Sequence, residues 1–168
     1  VLAQALADEG RGVALADMCL DAELAMLHDA RDVVPGVQEL VDAHRSGRPG
    51  PHEVRGLTFD VVNRGYQLLL GLRRHRDWAV VRPRTFEAAL DGLLSTFPTV
   101  VADVDDDVEG EAECGSIDVE ERNVMARTVT ARAAVLVVVG TAGFKGVHGL
   151  VRTVGRLRDH GVSPARML

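Results

Sequence analysis

Apolar residues recur along this chain with two spacings, which predict helices alternating with strands. The clearest helical pattern lies in residues 86–97, where apolar side chains three and four positions apart form one face. Further helices are predicted at 1–9, 37–44, 119–131 and 145–161. Short apolar runs predict strands at 13–17, 57–62, 66–72, 99–103 and 134–140.

Strands that are apolar throughout, separated by amphipathic helices, are typical of a parallel sheet covered by helices on both faces. AVLVVVG at 134–140 is the strongest candidate for a buried strand. We therefore predict one α/β domain over residues 1–168, with three α/β/α layers and a mostly parallel sheet. Val1 falls inside a helical pattern, and ARML ends the chain where an apolar segment could start. We expect a longer protein, truncated at both ends.

Composition narrows the classes of function. The chain has 168 residues, of which 46% are hydrophobic, enough for a domain with an apolar core. Its net charge of −6 disfavours general nucleic-acid binding. Cys19 and Cys114 have neither CxxC nor zinc spacing, so we expect reduced thiols in a cytoplasmic protein. No signal peptide is visible, and the longest apolar run, 133–139, is too short to cross a bilayer.

Three predicted strands end on residues that could bind a ligand. VALAD ends at Asp17, TVVAD ends at Asp103, and Thr141 follows AVLVVVG. Ligands of parallel sheets bind at the carboxyl ends of the strands, and oxygen ligands suit Mg²⁺. We predict a shared site along this edge. The alternative is that each aspartate caps the following helix or simply ends a strand.

A run of acids without a base follows Asp103. Asp103, Asp105 and Asp107 fit positions 1, 3 and 5 of an EF-hand loop. Val108 stands where that loop needs glycine, and Cys114 where it needs glutamate, so a calcium site is excluded. We predict a solvated, flexible loop for residues 105–113.

The stretch GTAGFKGVHG at 140–149 has the glycines and lysine of a phosphate-binding loop. Walker A spacing from Gly140 requires glycine where Lys145 stands, and G-x-G-x-x-G does not fit either. We interpret it as a glycine-rich turn from strand to helix. A loop that contacts a nucleotide is the alternative.

Positive charge concentrates around Trp78, the only tryptophan. The residues are Arg73, Arg74, Arg76, Arg82 and Arg84. Such a cluster could contact anionic lipid, nucleic acid or an acidic partner. A solvated segment with Trp78 packed on the domain is the alternative.

In this order, the segments resemble the deviant Walker-motif ATPases of the MinD/ParA superfamily, closest to its CpaE/TadZ-like and septum-site-determining branch. Residues 1–29 resemble the family's first helix, second strand and switch I region. Asp17 matches the first aspartate of the hydrophobic-D-x-D motif. Cys19 stands at the second, and Asp21 is its expected substitute. The resemblance thus implies catalytic roles for Asp17 and Asp21.

The resemblance continues in the second half of the chain. FPTVVAD is similar to the Walker B strand, so Asp103 is the implied Mg²⁺ ligand, acting through water. Thr141 matches a threonine or serine of a later loop and is the implied cofactor contact. The family's P-loop would precede Val1. An ATPase is therefore implied for the intact protein, and this fragment alone is expected to be inactive.

The resemblance implies a P-loop NTPase-like fold with ATP and Mg²⁺ as cofactors. It implies a homodimer in the ATP-bound state, which positions a division site, a pilus or secretion apparatus, or a chromosome. Expected partners are proteins of a localisation system. Peripheral contact with the inner face of the membrane, or non-specific contact with DNA, would use the arginines around Trp78.

Two other classes stay open. Cys19 and the acids after Asp103 depart from the family pattern, which favours a catalytically inactive interaction module that retains the fold. A receiver-like phospho-acceptor domain would also gather acids, a threonine and a lysine at strand ends. Asp17, Asp103, Thr141 and Lys145 are its candidate residues.

Overall fold

A computed structural model describes all residues from Val1 to Leu168. Its internal contacts divide the chain into two compact units, Val1–Val104 and Asp105–Leu168, called here the first unit and the second unit. That residues 1–168 form one domain stays a prediction.

The first unit has a mixed α/β fold built on a four-stranded sheet. Its strands are β1 (Val13–Met18), β2 (Phe59–Val61), β3 (Tyr66–Leu69) and β4 (Thr99–Val104). They lie in the order β2-β3-β1-β4. Strand β1 runs parallel to both β3 and β4, while β2 pairs with β3 in antiparallel orientation. The predicted mostly parallel sheet is confirmed.

Five α-helices and one 3₁₀-helix accompany these strands. They are α1 (Leu2–Asp8), α2 (Leu24–Leu27), α3 (Val37–Ser46), α4 (Pro51–Arg55), the 3₁₀-helix His75–Val80 and α5 (Pro83–Thr96). The helices predicted at 1–9, 37–44 and 86–97 are confirmed. Helix α5 begins at Pro83 because proline's missing N–H has no helical partner in a first turn. The 3₁₀-helix contains Trp78, which is half-buried.

The sheet of the first unit buries side chains on both faces. On one face, Ala3 of α1 packs with Val13 and Tyr66. Because successive strand residues point to opposite faces, Ala14 and Ala16 lie on the other, and both are buried. Helices α3, α4 and α5 pack together, and α5 contacts β4. This arrangement is compatible with three α/β/α layers.

The second unit is mainly helical. Its elements are α6 (Glu111–Cys114), α7 (Ile117–Arg122), α8 (Val124–Arg132), α9 (Phe144–Asp159) and the 3₁₀-helix Pro164–Arg166. The helix predicted at 119–131 forms as two pieces that meet at Asn123. Helix α9 confirms the one predicted at 145–161.

The prediction of a buried strand at 134–140 is wrong. The segment joins none of the four strands, and its one β-bridge pairs Leu136 with Met167. The side chains of Val135, Val137 and Val139 are 56%, 54% and 85% exposed. The run of valines favours an extended backbone, but burial of a strand depends on neighbours on both sides.

Candidate functional site

Asp17 and Asp103 lie at the same level of neighbouring parallel strands. In the register of β1 and β4, Asp17 is the partner of Asp103. Paired residues on adjacent strands point to the same face, and the strands are about 4.8 Å apart. The predicted proximity of these two carboxylates at the carboxyl edge is therefore confirmed.

The strand order reverses at β1. After β1 the chain builds β2 and β3 on one side, and it then crosses to place β4 on the other. Open α/β sheets bind ligands outside the carboxyl ends of the strands at such a reversal. Asp17 and Asp103 are the acids that β1 and β4 bring to this position.

The carboxylate of Asp17 anchors the loop that follows β1. Its side chain is buried, with the residue 1% exposed. Oδ2 accepts the N–H of Leu24 at 2.8 Å, and Oδ1 accepts that of Cys19 at 3.3 Å. Burial raises the pKa of Asp17 above its ordinary value of 3.8, and the charge of Asp103 adds to the rise. The backbone N–H donors oppose this shift in the pKa.

Gly71, just beyond β3, completes the enclosure of Asp17. A β-carbon at position 71 would lie 2.5 Å from Cβ of Ala22 and 2.9 Å from Cγ of Asp17. Only a residue without a side chain lets the backbone come this close. The loop after β1 and the turn after β3 are thus packed around one carboxylate.

Asp103 and Asp21 are both exposed, unlike Asp17. Asp21 lies in the loop after β1, and its Oδ1 is 3.0 Å from Nδ1 of His75. The side chain of Asp21 is 81% exposed. Its implied catalytic role stays a prediction, with His75 as its neighbour in the structure.

The arginine cluster begins just beyond the carboxyl end of β3, at Arg73. Arg73 forms an ion pair with Glu39, near the start of α3. Glu39 also accepts the N–H of Gly36 at 2.8 Å, which holds it in place. Sequence alone shows the cluster's charge, whereas its position depends on the parallel pairing of β1 and β3.

Thr141 lies in the second unit, and no strand precedes it. It is exposed, and Gly146 packs directly against its carbonyl and hydroxyl oxygens. Gly143 has φ of 110° and precedes the first residue of α9. These features agree with a glycine-rich turn. The prediction that Thr141 shares a sheet edge with Asp17 and Asp103 is wrong. Its implied contact with a cofactor stays a prediction.

The acidic segment, defined as residues 105–121, is not the flexible loop predicted for 105–113. Val108 within it is 3% exposed. Arg127 of α8 donates to the carbonyl of Val108 at 2.6 Å and lies 3.7 Å from carboxylate oxygens of Glu113 and Glu120. Gly110 leaves room for this guanidinium.

Two further ion pairs hold the acidic segment to the helices of the second unit. Arg122 contacts Asp107 at 2.9 Å, and Arg156 of α9 contacts Glu109 at 3.4 Å. The prediction of a flexible loop failed because it treated the acids as unpaired. Arginines 14 to 47 positions later in the sequence pair with Asp107, Glu109 and Glu113.

Asp17 and Asp103 do not form a complete Mg²⁺ site by themselves, and the implied role of Asp103 as a Mg²⁺ ligand stays a prediction. Both oxygens of Asp17 already accept backbone N–H groups, which leaves Asp103 as the exposed carboxylate of the pair. No group of three His, Cys, Asp or Glu side chains in the chain could hold a metal ion. Mg²⁺ prefers six oxygen ligands in octahedral geometry.

A cavity of about 540 Å³ opens elsewhere in the first unit, between the end of α3 and α5. Its lining includes His44, Arg48 and Asp91 but none of the predicted site residues. His44 packs against Gly92, and its Nδ1 lies 2.8 Å from the carbonyl of Leu40. This contact fixes the histidine as part of the helix packing.

No model of a known protein family matches this chain, and no curated protein matches it either. Among its helices, none combines the length and the apolar character needed to span a bilayer.

Proposed function

We propose that this chain is part of a MinD/ParA-like protein with a P-loop NTPase-like fold that positions cellular machinery through ATP-dependent dimerisation. The machinery would be a division site, a pilus or secretion apparatus, or a chromosome. The observation that supports this proposal is the in-register pair of Asp17 and Asp103 at the carboxyl edge of the sheet.

The two carboxylates have different roles in this proposal. Asp17 holds the loop of residues 19–24 through backbone hydrogen bonds, and its implied catalytic role stays a prediction. Asp103 is exposed beside it and is the group that faces a bound nucleotide. Asp21 and His75 are in contact at 3.0 Å, between the loop after β1 and the 3₁₀-helix that follows β3.

A binding measurement on the full-length protein tests the proposal. A fluorescent ATP analogue is titrated with Mg²⁺ present, against wild type, Asp103→Ala and the control Asp60→Ala. Asp60 is also exposed but lies on β2, two strands away from β1. We expect Asp103→Ala to weaken binding by about tenfold or more, about 1.4 kcal/mol, and Asp60→Ala to leave it unchanged. Equal binding by all three proteins contradicts the proposal.

A second candidate is an interaction module that keeps the α/β fold without nucleotide chemistry. The backbone hydrogen bonds to both carboxylate oxygens of Asp17 favour it, as does Cys19, which stands where the family motif has an acid. This candidate predicts no ATP binding by the full-length wild-type protein at millimolar nucleotide. Tight binding that depends on Asp103 excludes it.

A further inference from the structure

Residues 134–139, called here the valine segment, are paired along one edge only. Leu136 donates its N–H to the carbonyl of Arg166 at 2.7 Å and accepts that of Leu168 at 2.8 Å. Val138 donates to the carbonyl of Leu168 at 3.0 Å. In an extended strand, successive backbone groups point to opposite edges. The N–H and C=O groups of residues 135, 137 and 139 therefore line the other edge, where they have no backbone partner.

The valine segment also exposes apolar side chains, namely those of Val135, Val137 and Val139. Natural proteins protect such edges with charges, proline or covering elements, because an open apolar edge is a template for another strand. The stretch from Ala133 to Phe144 contains neither a charge nor a proline. This edge is therefore suited to pairing with a strand that is itself apolar and uncharged.

We propose that the valine segment pairs with the same segment of a second copy of this chain, in antiparallel orientation across a two-fold axis. Such a contact is self-complementary, which is the rule for closed homodimers. Two uncharged segments meet without repulsion.

The sheet of the first unit has two more unpaired edges, on β2 and on β4. Strand β2 is only three residues long and exposes Asp60, and β4 does not suit a two-fold contact either. Asp103 is exposed on that strand, and three further aspartates follow at 105–107. A two-fold contact there would bring like charges together. The charge pattern therefore favours the valine segment as the self-pairing edge.

Helix α9 adds apolar surface next to the valine segment. Phe144, Val147 and Val151 lie on one face of the helix and are 92%, 57% and 65% exposed. Gly140, which follows the valine segment, packs against Leu150 of the same helix. A stable interface buries about 800 Å² on each partner, more than one short strand supplies. The exposed face of α9 would supply part of the remaining area.

This dimer goes beyond the proposed function. It uses the second unit and needs no nucleotide, whereas the proposed function requires a nucleotide-dependent dimer and depends on the carboxylates of the first unit. Association without ATP therefore tests the valine segment independently of nucleotide binding.

The first experiment measures mass by light scattering coupled to size exclusion, over a concentration series without nucleotide. We expect the mass to rise from the 18.1 kDa of one copy toward twice that value. Val137→Lys places a charge at the two-fold contact and should shift half-association to at least about tenfold higher concentration. Val135→Lys should act in the same way. The control Val62→Lys, at an 81% exposed position of the first unit, should leave the mass unchanged.

The second experiment exchanges charges across the proposed axis. Val137→Lys and Val137→Glu should each be monomeric alone, since two like charges meet. Mixed in equal amounts, they should form a mixed dimer. A wild type that stays monomeric throughout, a Val137→Lys protein that still associates like wild type, or a mixture that does not associate would each overturn the proposal.

Discussion

The two units of this chain are stabilised by different interactions. In the first unit, large apolar side chains such as Phe86, Leu93 and Phe97 are almost completely buried around the sheet. In the second unit, Arg127 organises a network of carboxylates, while most of the longest apolar run stays exposed. The difference shows that charge pairing can order a segment that apolar burial cannot, and that an apolar run alone does not make a strand.

The charges of the second unit are divided along the sequence. Residues 105–121 carry nine acids and no base, whereas residues 122–168 carry eight bases and one acid. Ion pairs between the two stretches therefore close the second unit on itself. We expect its order to depend on ionic strength, unlike the order of the first unit.

The largest effect is expected from an apolar truncation in the first unit. Leu93 is 0% exposed, and Leu94, the next residue of α5, is 45% exposed. Leu93→Ala should lower the free energy of unfolding by about 2–5 kcal/mol because it leaves a cavity in the core. Leu94→Ala should cost less than about 1 kcal/mol. Urea denaturation measures both, and similar losses would show that the core is not packed as described.

The second-largest effect on stability is expected from Asp17, whose carboxylate anchors the loop after β1. Asp17→Ala removes the acceptor of the Leu24 N–H group and the hydrogen bond from Cys19, so we expect a loss of about 2 kcal/mol. Asp103→Ala, at the exposed partner position, should change stability by less than about 0.5 kcal/mol. Hydrogen exchange of residues 19–24 should accelerate in Asp17→Ala only. Acceleration in both variants would contradict the anchoring role.

The raised pKa of Asp17 gives this anchor a pH dependence with a defined sign. The folded protein holds the Asp17 proton more tightly than the unfolded chain does. The resulting stabilisation is present at low pH and is lost as pH rises from the ordinary value of 3.8 through the raised pKa. The stability of wild type relative to Asp17→Asn should therefore fall over this range and then level off. A relative stability that rises with pH would contradict the assigned direction.

The smallest effect is expected in the second unit. Arg127→Gln removes the donor to the carbonyl of Val108 and two ion pairs, so we expect a loss of about 1 kcal/mol. Hydrogen exchange of the acidic segment should accelerate, and 1 M salt should weaken its protection in wild type in the same direction. Arg152→Gln, an exposed position of α9, is the matched control. If hydrogen exchange of the acidic segment changed neither with salt nor in Arg127→Gln, charge pairing would not be what orders the second unit.

Sequence patterns predict most of the first unit because its elements obey local rules. The apolar stripe of α5 predicted the helix and most of its buried side chains, although Leu94 of the same stripe is 45% exposed. VALAD and TVVAD predicted two of the strands. Placing Asp17 beside Asp103 required a parallel sheet in which β1 and β4 are neighbours. The loop after β1 encloses the carboxylate of Asp17. This enclosure depends on the backbone of residues 19–24 and on Gly71. A pattern of residue types does not show that close approach.

The errors fall in the second unit, where distant residues decide the structure. The valines at 134–140 have strong strand propensity, but the second unit offers only residues 166–168 as a partner. The acidic segment has no helical or strand period, and its order comes from arginines far along the chain. Propensity describes a segment by itself and does not reveal such long-range partners.

Trp78 and Tyr66 are the only tryptophan and tyrosine of the chain, and both belong to the first unit. Intrinsic fluorescence and near-ultraviolet absorbance will therefore report on the first unit almost alone. The second unit, whose one aromatic residue is Phe144, could unfold without any change in these signals. A single smooth fluorescence transition for this chain would describe only Val1–Val104, and a tryptophan introduced into α8 would make the second unit visible.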